Sequence, residues 1–262
     1  HSMHYYASNH ADDTASYLAL SVDFENCVDT LAGVLRYVKA KKRSKHDVYL
    51  AWDEWNVWYR TAVPEHMDGD WSEAPHLIEE VYNLEDALVV AQWLNVFLRK
   101  SDTLKIACLA QLVNVIAPIL TTHDALLKQS IYYPFLLFSR LASGVALDVA
   151  VSAPFYSTAR FGDMPVVDVA ASYDEANQTN AIFIVNRSQT DSLPVELVWQ
   201  DRVPDHLSAA YQLTGDNPQA ANSFENPNRL VAQRVDVPAI EDGRAALTVP
   251  PLSFTAIEAR WA

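Results

Sequence analysis

Two adjacent carboxylates, Asp53 and Glu54, follow a short apolar segment and are themselves followed by aromatic residues. The apolar segment, residues 48–52, is rich in β-branched and aromatic side chains and predicts a strand buried on both faces, as in a parallel sheet. A carboxylate at the end of such a strand can act as a nucleophile or as a general acid or base. Adjacent residues of a strand point to opposite faces, so we expect only one of the pair to act on a given bond.

Four further residues have side chains that could complete a site around this carboxylate. His4 and Tyr6 follow what could be the remnant of another strand, and Gln111 lies late in a third apolar run, residues 104–115. Trp58 belongs to the aromatic segment itself. In an eight-stranded α/β barrel, catalytic residues project from the C-terminal ends of the strands. An imidazole, a phenol, an amide and an indole beside a carboxylate suit a sugar, because rings pack on its apolar face while polar groups bond its hydroxyls.

Each of these residues also has a structural interpretation that the residue types leave open. An Asp-Glu pair before a loop is often solvated or caps a helix, and His4 fits an ordinary packed or solvent-facing histidine. Trp55 and Trp58 suit core packing as well as ligand stacking. Neighbouring backbone groups could satisfy the amide of Gln111 in a buried run.

The elements that would position these residues alternate between helix and strand in the first half of the chain. Residues 12–45 predict a helix with one apolar stripe, and residues 84–99 predict a second helix with Asn83 as its N-cap. Residues 126–141 predict a third helix, with Pro134 near its middle as a break or kink. This order implies a parallel sheet with helical crossovers. The stripe consists of Phe24, Cys27, Val28, Leu31, Val34, Leu35 and Val38.

The character of the sequence changes near Val149. From there on, short alternating segments are separated by Pro, Asn, Asp and Gly, which predicts an antiparallel β-sandwich. We therefore expect two domains, a partial α/β domain over residues 1–148 and a β-sandwich over residues 149–262. Before that boundary, residues 61–76 predict a loop that is long for a compact domain, and loops of that length tend to be functional.

Composition restricts the partners and cofactors that we expect. The 262-residue chain has a formal net charge of -14, which argues against binding a nucleic-acid backbone by counterion release. Its one basic run, residues 39–45, is expected at a helix C-terminus, where cations suit the helix dipole. The sequence has no C-x-x-C or H-E-x-x-H motif, so we expect no metal site, and nothing in it calls for a cofactor. It also has no apolar segment long enough to span a membrane, so we expect no membrane partner.

Several long motifs give the chain a resemblance to a known family. Residues 53–59, DEWNVWY, resemble the nucleophile segment of the family-51 glycoside hydrolases, which are mainly α-L-arabinofuranosidases. The resemblance implies a (β/α)8 TIM barrel followed by an antiparallel, jelly-roll-like β-sandwich, with this chain as the C-terminal part of the barrel and the sandwich. It continues in MHYY, YVKAKKRSK, LEDALVVAQWLNVFLR, KIACLAQLVNVIAPI and VPPLSF, at residues 3–6, 37–45, 84–99, 105–119 and 249–254.

The same resemblance implies roles for individual residues. Glu54 matches the catalytic nucleophile of the family. Tyr6 and Gln111 match residues that hold the nucleophile and the sugar being cleaved. His4 matches a histidine beside the nucleophile, and Trp58 matches an aromatic wall of the sugar pocket.

A retaining glycosidase also needs a second carboxyl group, about 5–5.5 Å from the first, which protonates the leaving oxygen and later activates water. Asp53 resembles a support for the strand end and not that second catalyst. In the family the acid/base glutamate follows an asparagine on an earlier strand, and this sequence contains no Asn-Glu dipeptide. We therefore expect the N-terminal segment of the enzyme, which carries the acid/base residue, to be a separate chain. The resemblance further implies a cytoplasmic homo-oligomer of such pairs, commonly a hexamer.

The sequence thus predicts a retaining exo-glycoside hydrolase that removes terminal α-L-arabinofuranosyl units from arabinan, arabinoxylan or their oligosaccharides. One alternative keeps the scaffold and changes the substrate, giving an endo-glucanase or a xylosidase. A closed pocket would favour the exo-acting enzyme and an open groove the endo-acting one. A second alternative, from another class, is a catalytically inactive fragment that serves as a carbohydrate-binding or structural module.

Overall fold

The computed structural model of the chain describes residues 1–60 and 78–261, so the predicted loop of residues 61–76 lies outside the described residues. Its N-terminal part is built on three parallel strands that lie side by side in chain order. Helices connect each strand to the next, which confirms the predicted alternation of helix and strand. These elements are β1 (Ser2–Ala7), α1 (Thr14–Tyr17), α2 (Leu20–Lys42), β2 (Leu50–Val57), α3 (Leu84–Arg99) and β3 (Leu104–Leu109).

The helix predicted over residues 12–45 forms as two helices, α1 and α2. Phe24 and Val28 of the predicted apolar stripe are buried, whereas Val34 and Val38, nearer the end of α2, are exposed in the part of the chain that the structure describes. The basic run lies where the helix dipole favours it, because the last turn of α2 holds Lys39, Lys41 and Lys42. None of the helices within residues 1–60 and 78–261 is both long and apolar enough to cross a membrane.

Helix α3 lies at the centre of the molecule and is buried on all sides. All of its residues from 84 to 97 are buried, including polar ones. It begins as predicted at Asn83, whose side chain accepts a hydrogen bond from the backbone N–H of Asp86 at 3.0 Å. The carboxylate of Asp86 accepts in return from the backbone N–H of Asn83 at 2.9 Å, which completes a capping box.

Two predicted elements of the first half differ in the structure. Residues 104–115 were expected as one buried run, but β3 ends at Leu109, and Ile106 and Leu112 are exposed. The reason is that β3 forms an edge of the three-stranded sheet, so part of its surface has no neighbour among the described residues. The helix expected over residues 126–141 is also wrong at its start, where the chain forms a hairpin instead.

That hairpin consists of β4 (Ile119–Thr121) and β5 (Leu126–Lys128), and helix α4 (Tyr132–Leu141) follows it. Pro134 therefore lies in the first turn of α4 and not near the middle of a longer helix. In a first turn the backbone N–H has no partner within the helix, so a proline removes no helical hydrogen bond there. The predicted break or kink near the middle of a longer helix is therefore wrong, because Pro134 does not occupy such a position.

The remainder of the described chain is antiparallel, as the alternating segments predicted. Its strands are β6 (Val145–Leu147), β7 (Phe155–Thr158), β8 (Gly162–Pro165), β9 (Val167–Asp174), β10 (Thr179–Asn186), β11 (Leu193–Val198), β12 (His206–Thr214), β13 (Gln233–Val235), β14 (Arg244–Val249) and β15 (Ser253–Arg260). Six of them form one sheet in the order β13-β12-β15-β10-β9-β6, and two further pairs, β11 with β14 and β7 with β8, form small sheets.

The six-stranded sheet is covered on both faces, as the alternation along β10 shows. Phe183 and Val185 join the main core with α3 and α4, and the ring of Phe183 stacks on Phe138 at a centroid distance of 3.8 Å. Ile182 and Ile184 join a second core beneath β11 and β14. Because successive residues of a strand point to opposite faces, this sheet is the middle layer between the helices and the β11–β14 pair.

A buried ionic network joins the helices to the six-stranded sheet. Arg99, at the end of α3, donates from Nη1 to Asp168 of β9 at 2.7 Å and from Nη2 to Glu25 of α2 at 2.7 Å. Arg187 is almost fully buried and lies 3.7 Å from the second oxygen of Asp168. The guanidinium of Arg187 also donates to Gln92 of α3 at 2.7 Å. Asp168 is therefore the anion that two arginines from different elements share.

We expect Asp168→Asn to lower the free energy of unfolding by about 3–5 kcal/mol, because it leaves buried guanidinium charge without its counter-ion. Urea unfolding followed by tryptophan fluorescence measures this loss. Glu196→Gln is the matched control, since Glu196 pairs with Arg244 on the exposed surface, where an ion pair contributes less than about 1 kcal/mol. Equal losses in the two variants would show that the network does not stabilise the junction.

Candidate active site

The parallel pairing of β1 with β2 brings three of the predicted site residues together. His4 pairs with Glu54 in the register of the two strands, and Tyr6 lies two residues further along β1 on the same face. The phenol of Tyr6 donates a hydrogen bond to Oε2 of Glu54 at 3.0 Å. Nδ1 of His4 lies 3.3 Å from the same oxygen. The other oxygen of Glu54, Oε1, has no hydrogen-bond partner among the described residues, and about half of the side chain is exposed.

The strand that carries the carboxylates was expected to end at residue 52, before them. It instead continues through them to Val57. Met3 pairs with Trp52, and the next residue of β1, His4, pairs with Glu54, so Asp53 is an extra residue at a bulge. The expectation that Asp53 and Glu54 point to opposite faces is wrong as a result. Both are exposed, and Nε2 of His4 lies 3.6 Å from Asp53.

Asp53 is held by the first residue of β1. The hydroxyl of Ser2 donates to both carboxylate oxygens of Asp53, at 2.8 and 2.9 Å. This hydrogen bond lowers the pKa of Asp53 below its ordinary value. A general acid needs a raised pKa to hold its proton at working pH, so the environment of Asp53 does not suit it for that task. The contact with Ser2 instead ties the start of β1 to β2.

Tyr6 is a stable hydrogen-bond donor, because burial and its hydrogen bond to Glu54 raise its pKa to about 12. The ring of Tyr6 meets that of Trp58 edge to face at a centroid distance of 5.3 Å. Trp58 is partly exposed, and the guanidinium of Arg60 lies 4.8 Å from its ring centroid. Trp55, by contrast, is fully buried against Phe97 at 4.9 Å and belongs to the core.

Gln111 lies at the same edge of the sheet, two residues beyond the end of β3. The backbone N–H of Ala110 donates to the carbonyl of Trp55 at 3.1 Å, which extends the pairing of β2 and β3 to the residue before Gln111. The side chain of Gln111 is exposed and makes no hydrogen bond to any described residue, so the structure does not join it directly to Glu54. It does not occupy the buried setting that its apolar neighbours suggested.

Sequence reasoning missed Asn56, which fixes the position of this segment. Asn56 is fully buried, and its amide nitrogen donates to the carbonyl of Ala110 at 3.0 Å and to that of Ile116. Its amide oxygen accepts from the backbone N–H of Val57 at 2.8 Å. Asn56 therefore ties the turn that contains Gln111 to the strand that contains Glu54. An asparagine inside an apolar strand was the available signal, since a buried amide needs partners.

A second group that sequence reasoning missed is the carboxyl of Asp86. It is fully buried at the start of α3, and one oxygen, Oδ1, accepts from the phenols of Tyr17 at 2.9 Å and Tyr59 at 2.8 Å. Burial raises its pKa from the ordinary 3.8 to about 7. The neighbouring Glu85 is also buried and accepts from Thr14 at 2.7 Å.

No cluster of three or more His, Cys, Asp or Glu side chains suited to a metal ion occurs among residues 1–60 and 78–261. The described site therefore consists of a half-exposed glutamate, a phenol that donates to it, an imidazole beside it and an indole at its edge. Such a group can present a carboxylate to an electrophilic carbon.

Comparison with known proteins gives the site a family. A family model described as the alpha-L-arabinofuranosidase C-terminal domain matches residues 53–253, a range that includes Glu54 and most of the chain. The chain belongs to the α-L-arabinofuranosidase C-terminal domain family. The resemblance to family-51 glycoside hydrolases in the sequence motifs is thereby confirmed.

Two curated relatives and one solved structure place the chain within this family. The chain is 38% identical to an intracellular exo-alpha-(1->5)-L-arabinofuranosidase of Halalkalibacterium halodurans, over 98% of this chain and 51% of the relative. It is 36% identical to the enzyme of the same name from Streptomyces lividans, over 98% of this chain and 39% of the relative. The structure of AbfB, a family 51 alpha-L-arabinofuranosidase from Bifidobacterium longum, superposes with a TM-score of 0.91 at 29% identity, covering 99% of this chain and 52% of that one.

The chain thus spans about half the length, or less, of the curated relatives that it matches. The mostly β architecture with few helices agrees with the C-terminal domain of the family-51 enzymes. The bulge at Asp53, the capping box of α3 and the buried carboxyl of Asp86 all lie within or beside the range that the family model matches.

We expect the stability contribution of Asp86 to fall as pH rises. The folded state binds a proton on Asp86 between its ordinary pKa of 3.8 and its raised pKa of about 7, whereas the unfolded chain does not. This contribution is therefore fully present below about pH 4 and is lost as pH rises through about 7. Urea unfolding of the wild type and Asp86→Asn at intervals between pH 4 and 8 measures it. Parallel pH profiles for the two proteins would contradict the assignment.

Proposed function

We propose that the chain forms part of a retaining exo-acting α-L-arabinofuranosidase in which Glu54 is the nucleophile. The observation that carries this proposal is the hydrogen bond from Tyr6 to Oε2 of Glu54, with Oε1 left without a described partner. Membership of the arabinofuranosidase family supports the sugar as the electrophile. His4, 3.3 Å from Oε2, completes the surroundings of the nucleophile.

The geometry suits a two-step displacement. In the first step, Oε1 of Glu54 forms a bond to the anomeric carbon while the glycosidic bond breaks and an acid protonates the leaving oxygen. The phenol of Tyr6 holds Oε2 throughout, so the carboxylate presents one defined oxygen to the sugar. In the second step, water attacks the same carbon, the acid/base residue removes a proton from that water, and Glu54 leaves.

We propose that the acid/base residue lies outside residues 1–262. Asp53 does not suit the role, since its pKa is lowered by Ser2 and its carboxylate is directed to that contact. The curated relatives extend well beyond the part that this chain matches, which leaves room for the second carboxyl group. The three parallel strands would then be the last three strands of a (β/α)8 barrel, with the domain boundary between residues 148 and 149.

Exposed apolar groups on α2 and β3 support additional polypeptide against the three-stranded sheet. Val34, Tyr37 and Val38 of α2 and Ile106 of β3 are each about half exposed or more. A partial barrel leaves such strand edges and helix faces without partners, which favours association with the missing elements. We propose that an N-terminal segment of the same enzyme covers them.

We propose arabinose-containing oligosaccharides and polysaccharides as substrates. Trp58, at the edge of the Glu54 site, would stack against the sugar, and Gln111 would bond one of its hydroxyls. The named activities of the two relatives, exo-acting on α-(1→5)-linked arabinofuranosyl units, support an exo mode. Residues 61–76, which would help to decide between a closed pocket and the open groove of an endo-glucanase or xylosidase, lie outside the described residues.

The setting of the enzyme is also a proposal. Both curated relatives are named as intracellular enzymes, which supports a cytoplasmic location for this one. Family resemblance suggests a homo-oligomer of the assembled enzyme, commonly a hexamer. Here and below, the assembled enzyme means residues 1–262 together with the polypeptide that carries the acid/base residue.

We expect Glu54→Gln to reduce kcat on 4-nitrophenyl α-L-arabinofuranoside by at least about a thousandfold in the assembled enzyme, because an amide cannot attack the anomeric carbon. Single-turnover release of 4-nitrophenol measures this loss. Asp53→Asn is the matched control, since it neutralises the adjacent carboxylate and removes an acceptor for Ser2 while leaving Glu54 in place.

The two variants together separate the candidate functions. Loss of turnover in Asp53→Asn and its retention in Glu54→Gln would show that the nucleophile is wrongly assigned. If both variants keep the turnover of the wild type, the activity belongs to another protein in the preparation. This chain is then a binding or structural module. Faster hydrolysis of an internal glucan or xylan bond than of the arabinofuranoside would favour the endo-acting alternative.

A further prediction concerns assembly. Purified residues 1–262 alone should hydrolyse the arabinofuranoside at least about a hundredfold more slowly than the assembled enzyme, because general acid–base catalysis contributes about two to four orders of magnitude. Activity should be restored by the complementary polypeptide, and intact-mass analysis of the active species should detect both. An active, monomeric species with only the mass of this chain would overturn the proposal.

A further inference from the structure

The start of α3 does more than its capping role requires. A capping box needs one carboxylate oxygen of the third helical residue, to accept from the backbone N–H of the N-cap. Oδ2 of Asp86 does this for Asn83 at 2.9 Å. The second oxygen, Oδ1, takes no part in the capping box. It accepts hydrogen bonds from the phenols of Tyr17 at 2.9 Å and Tyr59 at 2.8 Å. Asp86 is fully buried, so these donors replace water that it has lost.

The two phenols come from different segments of the chain. Tyr17 ends α1, the short helix that follows β1, and it is buried in the core. Tyr59 lies two residues beyond the end of β2 and five residues beyond Glu54. Asp86 thus connects the start of α3 to the segment that follows β2, the strand that carries Glu54. The link to Tyr59 is charge-assisted when Asp86 is ionised, and such hydrogen bonds are about twice as strong as neutral ones.

Little else in the described residues fixes this segment. The backbone N–H of Trp58 donates to the carbonyl of Ala7 at 2.8 Å, which is the last ladder bond between β1 and β2. The phenol of Tyr82 donates to the carbonyl of Val57 at 2.8 Å, just before it. Beyond Trp58 the chain has left the sheet, and Tyr59 is held through its side chain, by the hydrogen bond to Asp86, by edge-to-face contact with His10 at 5.8 Å and by packing of its ring against the main core.

The consequence reaches the Glu54 site through the backbone of Trp58. The indole of Trp58 meets Tyr6 at 5.3 Å, and Tyr6 donates to Glu54 at 3.0 Å. The backbone of Trp58 is fixed at its N–H by the ladder bond to Ala7 and continues directly into Tyr59, so the orientation of its ring also depends on where Tyr59 is anchored. A ring that stacks on a sugar must be held in place, because an error of about 1 Å in a positioned group is costly.

We propose that Asp86 is a positioning residue of the arabinofuranosidase site, acting through the phenol of Tyr59 to hold Trp58 in its sugar-stacking orientation. The inference rests on the proposed function of Glu54 and Trp58. It assigns a role in substrate binding to a buried carboxyl of α3. In this proposal Asp86 acts through Tyr59 and makes no contact of its own with the sugar.

The matched pair Tyr59→Phe and Tyr17→Phe tests this proposal in the assembled enzyme. Each variant removes one phenol hydroxyl from the same oxygen of Asp86 and keeps the ring, so their structural costs are alike. Only Tyr59 adjoins Trp58. At about pH 8 Asp86 is ionised, because its pKa is about 7. We expect Tyr59→Phe to raise KM for 4-nitrophenyl α-L-arabinofuranoside about tenfold with kcat within about twofold, since lost sugar stacking is uniform binding.

Tyr17→Phe should leave both KM and kcat within about twofold of wild type while lowering the urea midpoint by a similar amount to Tyr59→Phe. A double-mutant cycle of Tyr59→Phe with Asp86→Asn should show that the two effects on KM are not additive, as expected for partners in one interaction. Equal changes of KM in the two phenylalanine variants, or no change in either, would overturn the proposal.

The Glu54→Gln variant separates this inference from the function on which it rests. If Glu54→Gln keeps its activity, the proposed function fails whatever the tyrosine variants do. If Glu54→Gln is inactive and Tyr59→Phe retains the wild-type KM, only the positioning role of Asp86 fails.

Discussion

The rest of the structure depends on the burial of α3. A helix without a solvated face must find an internal partner for each polar side chain that it carries, because a buried polar group without one is costly. On α3 most of these partners come from the surrounding elements, although Nε2 of Gln92 and Oδ1 of Asn95 have none among the described residues. Glu85 accepts from Thr14 and from Gln219 of the antiparallel part, Asp86 from Tyr17 and Tyr59, and Gln92 from Ser21 and Arg187. The need for hydrogen bonds in one helix thus joins the parallel sheet, the helices around it and the six-stranded sheet.

This constraint explains why a strongly acidic protein contains a basic residue at its centre. Arg187 is almost fully buried, and its guanidinium is shared between Gln92, Ser21 and backbone carbonyls on one side and the carboxylate of Asp168 on the other. The net charge of -14 describes the surface, where carboxylates remain solvated. Inside the molecule, charge is matched locally. Packing of the two halves therefore depends on charge pairing as well as on the aromatic stack of Phe138 and Phe183.

Much of the fold and part of the site could be predicted from the sequence. The helix–strand alternation, the capped start of α3 and the antiparallel second half can be predicted because each follows from a pattern within one short segment of the sequence. His4, Tyr6 and Glu54 could be grouped because neighbouring parallel strands place their side chains at one edge of a sheet. The hairpin of β4 and β5 could not, since a short apolar run such as residues 126–128 fits strand and helix alike.

The partners of Asp86 were beyond local reasoning for a different reason. Tyr17 and Tyr59 are 69 and 27 residues away in the chain, and no short pattern marks a carboxyl that will meet two distant phenols. Asn56 is a similar case, because the two carbonyls that accept hydrogen bonds from its amide are 54 and 60 residues away in the chain. Gln111 was misjudged because its exposure depends on β3 lying at the edge of the described sheet. These three errors concern long-range pairing and not residue type.

The bulge at Asp53 has a consequence for the phase of β2. Trp52 and Trp55 are three residues apart, an odd spacing that a regular strand would send to opposite faces, yet both are fully buried around Phe24 and Phe97. One extra residue between them restores the phase. Asp53 and Glu54 occupy the interval where that change of phase takes place. Deletion of one of the two positions would leave the tryptophans two residues apart, a spacing that a regular strand places on one face, so the core itself does not require the extra residue. The bulge instead serves the site, because it exposes both carboxylates at one edge of β2.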